Sequence, residues 1–118
     1  MKQFLAVFTG TPQSPAMAAW NALPATDRQA RERAGMEAWH RWMATQQDRI
    51  VVAGGPLGKT RLVSTAGISE TRNALCGYVV VSAATHDEAA RLFEQHPHFA
   101  IFPGEAVEVM EVLPVPGS

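Results

Sequence analysis

The chain has little sulfur chemistry, little charge and no long apolar run, and each shortage narrows what it can be. Its 118 residues include one cysteine, Cys76. No intrachain disulfide framework is available, which fits a cytosolic protein. Charged residues make up 18% of the chain, below the usual quarter, while hydrophobic residues make up 47%. Disorder is excluded by that balance, and the shortage of charge suggests surface given over to contacts. Ten Lys and Arg stand against eleven Asp and Glu, for a net charge of −1. The basic residues cluster at 28–41, but Glu32 and Glu37 interleave with them, so no clean positive stripe forms and nucleic acid is not expected as a partner. The opening run of apolar residues is too short for a signal peptide and no stretch approaches a membrane span, so no membrane partner is expected either. Repeats, low-complexity segments and interdomain linkers are also missing, and residues 1–118 read as one domain.

What is present is a regular succession of elements. Gln3–Thr9 reads as a strand in which Phe4 to Phe8 are all apolar. Ser14-Pro15 has the form of an N-cap followed by proline at the first helical position, opening a short helix to Leu23 that Pro24 stops. Thr26-Asp27-Arg28-Gln29 has the form of a capping box, opening a long helix to about Asp48. Met36, Trp39 and Met43, flanked by Ala38 and Trp42, recur at helical spacing, a pattern expected of core rather than of a cofactor site. Strands follow at 50–53 and 60–66, then a polar connection over 68–73 and the strongest strand, Leu75–Ala83. A second capping box, Thr85-His86-Asp87-Glu88, opens a helix to about Gln95, and a last strand is expected over Val107–Leu113.

Two β-α-β halves in this order predict an α+β, ferredoxin-like βαββαβ subunit. An antiparallel sheet with one wet face should alternate apolar and polar. Residues 4–8, 50–53 and 78–81 do not alternate, so both faces of the sheet want cover while the helices can supply only one. A homodimer packed sheet on sheet is the expected remedy.

Few residues carry chemistry. Cys76 opens a strand beside Leu75 and Gly77 and is read as a small buried residue rather than a nucleophile. Gly54-Gly55-Pro56-Leu57-Gly58-Lys59-Thr60 is one residue short of a phosphate loop and runs into a strand instead of a helix, so that reading fails. His96-Pro97-His98 follows a helix, and three uses are open to it. On an extended segment the two imidazoles would face the same way and suit a metal, with His40 or Glu105 brought in by the fold. One of them could serve as a proton acceptor at a pocket. Or both could simply meet free carbonyls at a helix end. His40 flanks the apolar stripe of the long helix. The site candidates are therefore His98, His96 and His40 as general acid–base groups, with no metal and no organic cofactor assigned. His86 is expected at the surface.

Several motifs together resemble the YCII-related family: Ala38-Trp39-His40-Arg41-Trp42, Ala53-Gly54-Gly55-Pro56-Leu57-Gly58, Gly77-Tyr78-Val79-Val80-Val81, Asp87-Glu88-Ala89-Ala90, His96-Pro97-His98-Phe99 and Val107-Glu108-Val109-Met110. The resemblance implies a dimeric α/β barrel. It also implies a His–Asp pair in a pocket beside the sheet. Here the segment that reads Asp-Pro-Phe in such members is His96-Pro97-His98, and His40 is displaced from the expected helical histidine, so that pair is not carried over. Two functional expectations follow. One is a cofactor-independent enzyme acting on a small molecule through histidine. The other is a non-catalytic small-ligand-binding or accessory domain. An oxygenase-like barrel is a third, by analogy of fold alone.

Overall fold

Phe4 to Phe8 extend in β1 (Lys2–Thr9), and the chain then turns into α1 (Pro15–Asn21). In this computed structural model, which describes residues 1–117, the Ser14 hydroxyl accepts from the Met17 N–H at 3.0 Å with Pro15 at the first turn, as the sequence predicts. The last residue of the expected domain, Ser118, lies outside the described residues. The long helix α2 (Ala25–Thr45) starts one residue before the predicted Thr26 cap. Pro24 fixes the entry, and no side chain caps the end. Next come β2 (Ile50–Pro56), β3 (Thr60–Ser64), β4 (Gly67–Thr71) and β5 (Leu75–Ala83). The chain ends with α3 (His86–Arg91), α4 (Pro97–Ala100) and β6 (Ala106–Glu111).

β2, β5, β1 and β6 form one antiparallel four-stranded sheet in that order. With the β3–β4 hairpin set aside, this is the ferredoxin-like order. Cross-strand register sorts the apolar strands into two faces. Phe4, Ala6 and Phe8 stand opposite Val81, Val79 and Gly77, and this face carries the helices. Leu5 and Val7 stand opposite Val80 and Tyr78 on the other face, with Val52 and Met110 completing the row. Burial therefore alternates along β5 although hydrophobicity does not: Val79, Val81 and Ala83 are buried, while Tyr78 and Val80 are only half-buried. Within one chain this outer face is mostly apolar and only partly covered: Val7 is buried, Val52 and Met110 are 44% and 42% exposed, and Glu108, opposite Val7, is an exposed charge on it.

On the inner face Phe4, Phe8, Val79, Val81, Ala89 and Phe93 form the core, with Trp39, Trp42 and Leu92 packed against it. The Trp42 indole N–H donates to the Leu92 carbonyl at 2.8 Å, tying α2 to the end of α3. At the N-terminus of α3 the Thr85 hydroxyl accepts from Glu88 N–H, and the Glu88 carboxylate accepts from Ala84 N–H, a capping box displaced by one residue on its return arm. His86, exposed as expected, donates from Nε2 to the Val109 carbonyl at 2.7 Å and so also fastens α3 to β6.

The segment 68–73, expected as a polar connection, contains β4, which pairs with β3 from Thr60↔Thr71 to Ser64↔Gly67. This hairpin continues the β2–β5 ribbon beyond the sheet as an arm in which Leu62, Val63 and Ile68 are 50%, 72% and 75% exposed. The arm raises the radius of gyration to 16.3 Å, about 3 Å above that of a compact chain of this length.

Candidate functional site

Between α2 and the β2–β5 side of the sheet lies a cavity of about 530 Å³. Its helix wall is Met36, Trp39, Trp42 and Met43 of the stripe expected to be core, with His40 on the flank. Met36 is 47% exposed, and Gly35 is the buried residue of α2. The stripe thus does both: Trp39 and Trp42 pack against the core as expected, and with Met36 and Met43 they also wall a cleft, a use with the same helical spacing. Its sheet wall is formed by Phe8 with Ala53–Pro56 and Cys76–Val79, and His98 and Phe102 complete the lining. Two features hold this geometry open. Gly54 adopts φ +68, and a Cβ there would run into the Tyr78 carbonyl, so β2 reaches β5 only as glycine. At Gly35 a Cβ would meet the Phe102 ring at 2.5 Å, so the bare helix face seats that ring.

His98 is 8% exposed and belongs to α4, not to an extended segment. Pro97 starts this one-turn helix at its first position instead of stopping a preceding one. The His98 Nε2 lies 2.8 Å from the Thr9 carbonyl, 89 residues away in sequence. A carbonyl only accepts, so Nε2 carries the proton, and the Glu105 N–H donates to the same oxygen at 2.9 Å. The neutral ring therefore has its lone pair on Nδ1, which makes no hydrogen bond among the described residues and belongs to a side chain lining the cavity. Gly104 packs close against His98, since a Cβ there would overlap Nε2, Cε1 and the His98 carbonyl. Burial lowers the pKa of His98, against the raising effect of its bond to Thr9. The imidazole is thus neutral at pH 7, an acceptor facing a largely apolar space.

His96 has a different environment. It is fully buried, and its Nδ1 accepts from the His98 N–H at 3.0 Å, which caps α4. Its proton therefore sits on Nε2, the buried side-chain polar atom without a partner among the described residues. The rings of Trp39 and Trp42 lie 4.6 and 4.7 Å from it, with Phe8 and Phe93 beyond. Burial, and then the neighbouring His98, pushes its pKa down to about 4. His96 does not line the cavity; it holds the backbone of the residue that does. Gln95, at φ +55, makes the turn that inserts it.

His40 lines the cavity from its exposed side. His98 and His40 thus share one cavity, while His96 stands behind its aromatic wall. Among the described residues no group of three or more His, Cys, Asp or Glu could hold a metal ion. Cys76 is half-buried with Sγ 3.5 Å from the Gly10 carbonyl and 3.6 Å from that of Ala74. Burial, then the Glu105 carboxylate, pushes its thiol pKa up, so it stays protonated and a poor nucleophile. Sequence reasoning did not anticipate Phe102, Gly104 and the Thr9 carbonyl. Phe102 and Gly104 follow α4 in a segment without periodicity, and Thr9 acts through its backbone, so none carries a sequence signal.

No helix is long and apolar enough to cross a membrane among the described residues. No family model and no curated protein matches the chain. Among solved structures, the chain is similar to 5-chloro-2-hydroxyhydroquinone dehydrochlorinase (TftG) from Burkholderia phenoliruptrix AC1100, in complex with 2,5-dihydroxybenzoquinone. The TM-score is 0.53 at 18% identity, over 91% of this chain and 89% of that one. Likeness at that identity concerns the fold, and it agrees with the α+β, ferredoxin-like class read from the sequence.

Proposed function

We propose that the chain is a YCII-related homodimer that handles a small molecule in the α2–sheet cavity, with the His98 Nδ1 as proton acceptor and no organic cofactor. The carrying observation is the tautomer of His98. Thr9 fixes the proton on Nε2, and this leaves the Nδ1 lone pair free on a side chain that lines a largely apolar cleft, with His40 the other imidazole in its lining. A neutral imidazole held this way needs no reorganisation before accepting a proton, and general-base catalysis of this kind contributes about 10²–10⁴-fold in rate. His40, at the cavity's exposed side, is the group available to bind or return a proton at the ligand's other end. His96 serves by position, through its bond to the His98 N–H. The similar chain of the same fold carries a single-ring ligand, which supports a search among compounds of that size. The homodimer reading rests on the outer face, where Leu5, Tyr78 and Val80 are half-buried and Val52 and Met110 exposed.

The test is a screen of small cyclic compounds by the shift of the Trp39 indole resonance, followed by turnover of each compound that binds. His98→Gln is expected to retain binding and lose about 10²-fold or more in kcat. The acid limb of the wild-type pH profile is expected below pH 6.5, because burial lowers the His98 pKa. Turnover unchanged in His98→Gln would remove His98 from the chemistry. Binding without turnover of any compound would favour the non-catalytic reading.

A further inference from the structure

The cavity wall is notable for the charges it omits. The chain carries 10 Lys and Arg and 11 Asp and Glu. None of them lines the cavity. The charged residues of α2, among them Arg33, Glu37 and Arg41, lie at exposed positions outside the lining. A carboxylate, phosphate or ammonium brought into the cleft would lose water and meet no Lys, Arg, Asp or Glu. His40 at the exposed side is the one imidazole placed to answer an anion, and away from that side the cost is several kcal/mol. What the wall does offer is aromatic and thioether surface, from Trp39, Phe102 and Phe8 with Met36 and Met43. Ring edges and polarisable sulfur pack well against a flat conjugated ligand.

The polar groups set the ligand's other requirement. In the lining, neutral His98 has Nε2 committed to Thr9 and a free lone pair on Nδ1, so towards a ligand it accepts and does not donate. The Cys76 thiol beside the sheet wall already has the Gly10 and Ala74 carbonyls within reach. A ligand bearing only acceptors towards His98 would set lone pair against lone pair and leave Nδ1 without a partner. From these observations we infer that the cavity takes an uncharged, flat, ring-bearing molecule of the phenol or enol class, with its O–H directed at His98. The inference deepens, and rests on, the reading of His98 as the cavity's proton acceptor.

Three probes of one ring system separate the possibilities: 2-naphthol, its methyl ether and 2-naphthoate, each titrated at pH 7.5 against the full chain and followed by the Trp39 indole resonance. The naphthol is expected to bind at least tenfold more tightly than either of the others. In His98→Phe, which keeps a ring against Gly104, the preference over the ether is expected to vanish while the preference over naphthoate persists. Naphthoate binding as tightly as naphthol would overturn the substrate class; if its affinity still depended on His98, the reading of His98 would stand. An ether equal to naphthol in the wild type would overturn the donor requirement and that reading with it. Failure of 2-naphthol to move the Trp39 resonance at its solubility limit would overturn the inference outright.

Discussion

At the scale of single residues, the two histidines of His96-Pro97-His98 divide the work that sequence assigns to them jointly. The spacing shows two imidazoles together, but a one-turn helix begins between them, so one caps and the other faces the cavity. The partner that fixes the His98 tautomer is a backbone carbonyl at the far end of β1, which no side-chain pattern could reveal. Burial of His96 has a measurable consequence for stability. Its folded pKa is pushed down to about 4, while an unfolded histidine titrates near 6.5. Between those values the unfolded chain binds a proton that the folded chain refuses. Stability is therefore complete above pH 6.5, falls as pH drops toward 4, and levels off below, with a loss of about 3 kcal/mol from this group. His98 adds to the loss with the same sign. His96→Asn retains an N-cap acceptor without a titrating ring. Urea melts at pH 7.5 and 5 are expected to show a smaller difference for this variant than for the wild type, even if its stability is lower throughout. Equal differences would mean that His96 is not the group that resists protonation.

At the scale of elements, what was legible depended on whether the signal was local. Ser14-Pro15 and Thr85 with Glu88 act within a single turn, and both caps form. The box expected at Thr26-Asp27-Arg28-Gln29 does not, because Pro24 takes the cap position and puts Thr26 inside the helix. β5 occupies its predicted span because Leu75–Ala83 is dense in β-branched residues. β4 was not legible, since Gly-Ile-Ser-Glu-Thr forms an exposed arm with no core to impose a pattern. The stripe on α2 was legible as a stripe but not as a cavity wall, because the apolar spacing is the same for both. What distinguishes them is Gly35, where the helix comes close to Phe102. Gly35→Ala sets two effects against each other. Helix propensity favours alanine by about 1 kcal/mol. Overpacking against the Phe102 ring costs about 1–3 kcal/mol. The ring is half-buried and can swing toward solvent only by leaving the cavity wall. The expected result is a net loss of about 1 kcal/mol in a urea melt, together with a shifted Phe102 resonance. A gain in stability with Phe102 unmoved would show that the contact does not constrain α2.

At the scale of the whole molecule, the lack of alternation in the strands carried the most information, because it pointed to a sheet with two faces to cover. Four strands at about 4.8 Å spacing, of 6 to 9 residues at about 3.3 Å each, give a face of about 480 Å². A stable interface needs about 800 Å² per partner. The sheet alone falls short, and the other exposed apolar surface is the arm, where Leu62, Val63 and Ile68 stand clear of their own chain. A homodimer of this chain is therefore expected to use the arm as well as the sheet. Light scattering at micromolar concentration should give twice the 12.8 kDa chain mass. Val80→Lys places a charge at the middle of the outer face, away from the inner core, and is expected to give monomers with native circular dichroism. Replacing residues 60–71 with a two-residue turn leaves the sheet intact and is expected to weaken association at least tenfold without abolishing it. A wild-type monomer would sink the dimer. A dimer unaffected by the shortened arm would keep the sheet-on-sheet contact and reject the arm, and the outer face would then have to bury more area than its footprint suggests.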